Sequence, residues 1–412
     1  MRPSEFVDGA RLWQRLMDLA RFGARDDGGV DRQALSDAEI AARAQLIGWG
    51  RELGLAPFTD GAANLFLRLE GADSDLPPVL AGSHIDSQPT GGKFDGAYGV
   101  LAALEAMAAV RETGVVPRRA IEVVAWMNEE GSRFAPGMTG SELFTGVKSL
   151  ETVSHNRDAA EIRLGDALAR VLAADVGVVQ RPFCRAVTAY VEPHIEQGPL
   201  LERAKLPVGV VTGIQGTRRY RVSVHGEPAH AGTAERHERK DALMAAVRMI
   251  VAIDEAAMQP ADTKLTVGLF EVTPNAPSVV PAEVFFSIDL RHPDNAVVDR
   301  IDAEIRQIIE KMRGPCRVEI KQIQHAPSLD FDPGIRALIA KVADEIGVAH
   351  QDIYSAAGHD ARQLHYVCPA GMIFVPCRNG VSHHPAEWSD PDHLAAGTRV
   401  LADTIWILAN QP

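Results

Sequence analysis

Short apolar runs alternating with helix-patterned segments constrain this chain more than any other feature, because such strands bury both faces only inside a sheet layered by helices. Pro78 to Ser83 and Ala120 to Met127 are apolar runs of strand length, and the Ala-rich segment Ala97 to Thr113 between them reads as a helix. Val187 to Glu192 and Met372 to Val375 read as further strands of the same sheet. Two amphipathic helices precede it, Glu5 to Arg21 and Asp37 to Leu53, the second opened by Ser36 and Glu39 in the spacing of a capping box.

Between residues 213 and 326 the rhythm changes. The order becomes strand (Gly216–His225), helix (Lys240–Ala257), strand (Leu265–Val272), strand (Val284–Arg291), helix (Asn295–Met312), strand (Cys316–Gln324), which is the ferredoxin-like βαββαβ motif. A helical pattern from Asp332 to Ile346 then resumes the first rhythm. The expected architecture is an α/β fold: a mixed, mostly parallel sheet flanked by helices, built from residues 1–212 and 327–412, with an inserted ferredoxin-like domain over residues 213–326. The inserted sheet leaves a face or edge that either pairs with a second subunit or is simply solvated.

With 412 residues and 46% hydrophobic content the chain can fill two cores. A net charge of −13 argues against the clustered cationic surface that a nucleic-acid partner requires. No apolar run approaches the ~20 residues that span a bilayer, and the N-terminal segment lacks the layout of a signal peptide. Cys184, Cys316, Cys368 and Cys377 are scattered without zinc-knuckle spacing and read as buried thiols of a cytoplasmic protein.

Chemistry concentrates where the apolar strands end. His84 and Asp86 follow the first of them, at the sheet edge where open α/β proteins place ligands, and Asp86 is spaced to accept the other ring N–H of His84. His84 is a metal ligand or a hydrogen-bonded surface histidine. Asp95 lies in the glycine-rich loop Gly91 to Gly96, and Glu129 and Glu130 end the second strand. Two adjacent carboxylates there need a cation or proton to offset them, one serving as ligand and the other as general base. His194 again follows a strand-like run, and His383 and His384 lie in a late loop. Mixed nitrogen and oxygen donors of this kind suit Zn²⁺, Mn²⁺, Co²⁺ or Ni²⁺.

The segments His84-Ile85-Asp86, Glu129-Glu130, His194-Ile195-Glu196-Gln197-Gly198, His230-Ala231-Gly232-Thr233, Asp289-Leu290-Arg291, Gly358-His359-Asp360-Ala361 and Ser382-His383, with the Asp95 loop, resemble in order the hydantoinase/carbamoylase amidases of the dinuclear metallopeptidase and aminoacylase superfamily. The resemblance implies two divalent metal ions per subunit, bridged by Asp95, with His84 and His194 on one and Glu130 and His383 on the other. Histidine followed four residues later by glutamate fits His383 and Glu387, with His384 the alternative. Glu129 would be the base and Asp86 its catalytic companion. His230 would stabilise the oxyanion, in related enzymes from across a dimer formed by the inserted domain, against a local structural role. Gln197, Gln215, Ser278, Arg291 and Gly358 would contact substrate, although Arg291 is equally placed for a salt bridge to Asp289 or Asp294, and His359 and Asp360 for bracing their loop.

The implied reaction is hydrolysis of a linear amide C–N bond in an N-carbamoyl-L-amino acid or ureido acid. Allantoate amidohydrolase, β-ureidopropionase, a dipeptidase or aminoacylase, and a catalytically silent binding protein are the competing readings. The chain departs from the family pattern at Ser278, where Asn is usual, at Ala356, and at Ala234-Glu235-Arg236. Those departures bear on substrate rather than on metal.

Overall fold

The computed structural model describes residues 1–183 and 186–412. Cys184 lies outside them; Cys316, Cys368 and Cys377 are free and buried. The chain forms two compact units, Met1–Thr212 with Phe331–Pro412, and Gly213–Asp330.

At the centre of the first unit, strands Ala370–Val375, Ala189–Ile195, Val79–His84 and Ile121–Trp126 lie side by side and parallel, in that order. Every residue of the four is buried, which is why each reads as a near-continuous apolar run. Antiparallel strands extend the sheet: Leu65–Leu69 and Ala56–Thr59 beyond Ile121–Trp126, and Val208–Ile214 beyond Ala370–Val375. Helix Ala97–Glu112 is buried from Ala97 to Val110. Its Ala-rich composition permits that depth: a Cβ on Gly99 would stand 2.3 Å from the Pro193 carbonyl oxygen and 2.6 Å from Ser83 Cβ. Leu104, Leu101, Leu12, Leu16 and Leu401 join one core with the strands, each such burial contributing ~1.5–3 kcal/mol.

The expected helix from Glu5 to Arg21 is a 3₁₀ turn, Pro3–Phe6, followed by an α-helix, Gly9–Leu19. Asp8 divides them, because its Oδ1 accepts the Ala10 and Arg11 amides and starts a new helix. Ser36 Oγ accepts the Glu39 amide at 3.2 Å, but the Glu39 carboxylate reaches back to the Leu35 amide instead of closing the box on Ser36.

In the second unit, strands Lys264–Thr266, Glu283–His292, Gly216–His225 and Arg317–Ala326 form an antiparallel sheet in that order, with helices Ala242–Ala257 and Asn295–Met312 completing the strand–helix–strand–strand–helix–strand sequence. Tyr220, Val222, Phe286 and Ile288 alternate inward against Met249, Ile253, Ile301 and Ile305. The strand expected over Leu265 to Val272 is two pieces, Lys264–Thr266 and Phe270–Thr273, both paired to Glu283–His292. Between them the Leu269 amide goes to Ser287 Oγ rather than to a ladder carbonyl. A short ribbon pairs Ala229–His230 with Val279–Val280.

Candidate metal centre

The parallel strands all deliver their carboxyl ends to one edge of the sheet, so residues far apart in sequence meet there. His84 closes Val79–His84, and Glu129 and Glu130 follow Ile121–Trp126. His194 lies near the end of Ala189–Ile195, and His383 follows Ala370–Val375.

Asp95 is the hub. Its Oδ1 stands 3.2 Å from His194 Nε2 and 3.6 Å from His84 Nε2, while its Oδ2 stands 3.2 Å from His383 Nε2. Glu130 Oε2 is 3.5 Å from His383 Nε2, and Glu129 Oε2 is 3.6 Å from His84 Nε2. Two donor groups result, His84 with Asp95 and His194, and Asp95 with Glu130 and His383, each with ligand atoms within 4.8 Å of one another. Donors held ~2.1 Å from a tetrahedral ion stand roughly 3.4 Å apart, so these spacings fit a cation in each group. His384 is exposed and belongs to neither of these groups, its Nδ1 accepting the Ala386 amide at 3.0 Å.

A second layer of bonds holds these donors. His84 Nδ1 is bonded to the Asp86 carbonyl at 3.0 Å, with the Asp86 carboxylate at 3.4 Å. That carboxylate accepts the Glu129 and Glu130 amides, both at 3.2 Å, so Asp86 locks the two strand ends together instead of serving the imidazole alone. Glu387 Oε1 accepts the Phe94 and Asp95 amides at 2.9 and 3.1 Å, and its Oε2 accepts the Ser382 hydroxyl at 2.9 Å. Gln88 donates to Glu130 at 2.7 Å and Gln197 to Asp95 Oδ2 at 2.8 Å. Gly96, at φ +60°, is required where it stands: a Cβ there would lie 2.3 Å from the His84 ring.

The electrostatics show a site short of positive charge. Burial lifts the Glu129 carboxyl well above its ordinary range, with Asp360, Glu130 and Asp86 adding repulsion. Burial and Asp95 push Glu130 up to about 7. Burial opposes charge on His84, yet Glu129, Asp86 and Asp95 carry its imidazole well above the usual value. The hydrogen bond to Asp95 raises His383 to about 9. Four carboxylates, Asp86, Asp95, Glu129 and Glu130, thus crowd three imidazoles, an arrangement that a bound metal would stabilise.

A third group, Glu192 with His194 and His359, is closed by protein hydrogen bonds. Glu192 accepts the Ser83 hydroxyl and the Ala361 amide, both at 2.7 Å, and His359 Nε2 is bonded to Ser355 Oγ at 3.0 Å. Glu192, Ser83, Gln88 and Ser382 are not among the site residues expected from sequence. Glu192 carries a signal there as a charged residue inside an apolar strand, and Ser382 as part of the Ser382-His383 segment.

Of the remaining expected residues, Gly358 lies in the loop beyond His350–Ser355, close to Met138. His230, Ser278, Gln215 and Arg291 belong to the second unit. His230 is exposed and its Nδ1 accepts the Gly232 amide at 3.0 Å. The Ser278 carbonyl accepts the Ala231 amide at 3.0 Å, and Gln215 is buried. Arg291 holds Asp289 through two hydrogen bonds at 2.9 and 3.0 Å, the salt bridge expected as its competing role.

A mixed sheet that gathers histidines and acids at its carboxyl edge, in two groups that fit a cation, marks a metal-dependent hydrolase. The comparisons agree, since the model of peptidase family M20/M25/M40 matches residues 80–406, and the chain belongs to that family, within its hydantoinase/carbamoylase amidases. An amidase of this group from Burkholderia multivorans superposes with a TM-score of 0.91 at 40% identity, over 98% of this chain and 99% of that one. An N-carbamoyl-L-amino-acid amidohydrolase of Rhizobium meliloti is 38% identical over 96% of this chain and 95% of its own length. An allantoate amidohydrolase of Bacillus subtilis is 37% identical over 95% of each. Among the described residues no helix is long and apolar enough to cross a membrane.

Proposed function

We propose that this amidohydrolase cleaves an N-carbamoyl-L-amino acid, or a closely related ureido acid, using two divalent cations per subunit, Zn²⁺ in the first instance with Mn²⁺, Co²⁺ or Ni²⁺ as alternatives. The observation that carries the dinuclear reading is the division of Asp95: one oxygen faces His84 and His194, the other His383. His84 and His194 would hold one ion and Glu130 and His383 the other, with Asp95 between them. When bound, such a pair lowers the pKa of a water molecule and polarises the substrate carbonyl.

Glu129 is the general base. It takes a proton from the attacking water as the C–O bond forms, then delivers it to the leaving nitrogen as the C–N bond breaks, releasing the amino acid and carbamic acid, which decomposes in solution to ammonia and CO₂. Asp86 fixes the backbone of Glu129 and so aims its carboxylate. His230 is the proposed donor to the oxyanion. Gln197, Gln215, Ser278, Arg291 and the Gly358 loop are the proposed contacts of the substrate carboxylate and ureido groups, Arg291 by exchanging its Asp289 pairing for a bidentate grip.

A homodimer through the second unit belongs to this reading. Met244, Val247, Val251 and Met258 are 43%, 39%, 51% and 59% exposed and form an apolar stripe on helix Ala242–Ala257 and its end, which a second copy would cover. The free buried thiols suit a reducing compartment, and we assign the protein to the cytoplasm. The deciding experiment combines metal analysis with turnover of N-carbamoyl amino acids, 3-ureidopropionate, allantoate and dipeptides after loading with each metal. Ammonia and CO₂ from an N-carbamoyl amino acid are expected. Preferred release of two amino acids from a dipeptide overturns the assignment, and preference for allantoate transfers it to the activity named for the Bacillus relative.

A further inference from the structure

Arg32 is almost completely buried, at 2% exposure, and among the described residues its guanidinium makes no hydrogen bond to a carboxylate. Its Nε donates to the Ile85 carbonyl at 2.6 Å, and its Nη1 donates to the carbonyls of Leu19 and Phe22 at 3.0 and 2.9 Å. The backbone on either side is tied as well: the Arg32 amide donates to Ser87 Oγ and the Ser87 amide to the Arg32 carbonyl, both at 2.9 Å. A buried cation whose partners are neutral carbonyls is costly, and a surface salt bridge would serve ordinary stability more cheaply. Burial lowers Arg32 only to about 10, so the group keeps its charge at neutral pH. Two features offset the cost. Leu19 is the last residue of helix Gly9–Leu19, whose carboxyl end favours a cation, and Glu39 and Asp86 lend opposite charge from nearby.

The position is specific. Ile85 stands between His84 and Asp86, so a bond to its carbonyl fixes the turn that aims the His84 imidazole and brings the Asp86 carboxylate under the Glu129 and Glu130 amides. We infer that Arg32 is a positioning residue of the metal centre, a buried clamp that sets the geometry of the His84–Ser87 turn. This rests on the dinuclear reading above. A side chain in this role touches neither metal nor substrate, and its loss is felt through the ligands it holds, typically as a 10- to 100-fold change in metal affinity.

Three variants test the inference: Arg32→Met, which removes the charge and the fork; Arg32→Lys, which keeps the charge but not the fork; and Ser87→Ala, which loosens the same turn with the guanidinium in place. Zn²⁺ affinity is measured by chelator competition and the ligand field by the visible spectrum of the Co²⁺-loaded protein, alongside thermal unfolding. The expected result is Zn²⁺ binding weakened at least 10-fold in R32M, less in R32K and severalfold in S87A, with an altered Co²⁺ spectrum and kcat reduced more than KM is changed. Variants that fold and bind Zn²⁺ with native affinity and an unchanged spectrum overturn the inference. Should both Arg32 variants fail to fold, S87A decides alone by the same criterion. Native protein that holds no metal removes the dinuclear reading and the clamp with it, whereas native binding with indifferent variants removes only the clamp.

Discussion

Replacing Gly96 with Ala should dismantle one half of the metal centre with a single methyl group. Gly96 sits at φ +60° and ψ −47°, a conformation that strains an L side chain by ~1–3 kcal/mol. Beyond that strain, the new Cβ would lie 2.3 to 2.4 Å from three atoms of the His84 ring. The ring cannot retreat cheaply, because it is buried and its Nδ1 is bonded to the Asp86 carbonyl at 3.0 Å. The backbone must move or His84 must swing out of line with Asp95, and displacing a ligand by about an ångström should weaken metal binding by ~100-fold or more, about 2.7 kcal/mol at 1.36 kcal/mol per factor of ten. Gly314 supplies the control: it has φ +54°, and a Cβ added there would meet nothing within 4 Å, so Gly314→Ala carries backbone strain alone. Urea unfolding of both metal-free variants and chelator-competition titration of Zn²⁺ separate the two effects. If G96A binds Zn²⁺ as tightly as the native protein, the reasoning about His84 is refuted.

Glu129→Gln should retain its metal content while kcat falls ~10²- to 10⁴-fold; undiminished turnover of the substrate would remove Glu129 as the base. Glu387→Ala strips the acceptor from the buried Phe94 and Asp95 amides, at ~1–3 kcal/mol for each group left unpaired, and should weaken metal binding more than tenfold, whereas Glu387→Gln keeps an oxygen for both and should stay within about threefold. Equal losses in the two variants would argue that charge rather than amide acceptance matters. Asp60 is buried, which raises its carboxyl from the ordinary 3.8 to about 6 despite donors from Asn64 and Ala62. A folded-state pKa above the unfolded one means a contribution fully present below pH ~4 and lost as pH climbs through ~6, so the stability of native protein relative to Asp60→Asn should fall between pH 4 and 7 by up to about 3 kcal/mol; urea titrations showing a flat or rising difference would contradict this. Val251→Lys, in the exposed apolar stripe, should convert a dimer to monomers on sedimentation, and a native protein that already sediments as a monomer speaks against that interface.

The residues of the site are easier to read from the sequence than the bonds that hold them. His84, Glu129 and Glu130 can be found because a fully buried parallel strand is a continuous apolar run, so a polar group just past its end falls at the sheet edge. Strands Ala56–Thr59 and Leu65–Leu69 are not legible in the same way, since they are short and carry polar or partly exposed residues without clean alternation. The long helix Pro391–Asn410 is absent from the expected elements too, although Asp390 before Pro391 is a helix-start signal, its carboxylate accepting the Asp392 amide. Glu387, Gln88 and Arg32 act on backbone groups or ligands far away in sequence, and no local pattern encodes such pairings. Asp86 shows the same limit: its nearness to His84 is legible, its grip on the Glu129 and Glu130 amides is not.

Strand Ala189–Ile195 has Val79–His84 on one side and Ala370–Val375 on the other. During synthesis the second neighbour arrives only after the whole Gly213–Asp330 unit, which at ~5–20 residues per second is a delay on the order of tens of seconds. A chain folded up to that point would present Ala189–Ile195, a strand destined for the middle of the sheet, as a bare rim with an open hydrogen-bonding ladder of the kind that recruits stray chains. In the order of the chain His84, Asp95, Glu130 and His194 precede that unit, and His383 alone of the five follows it.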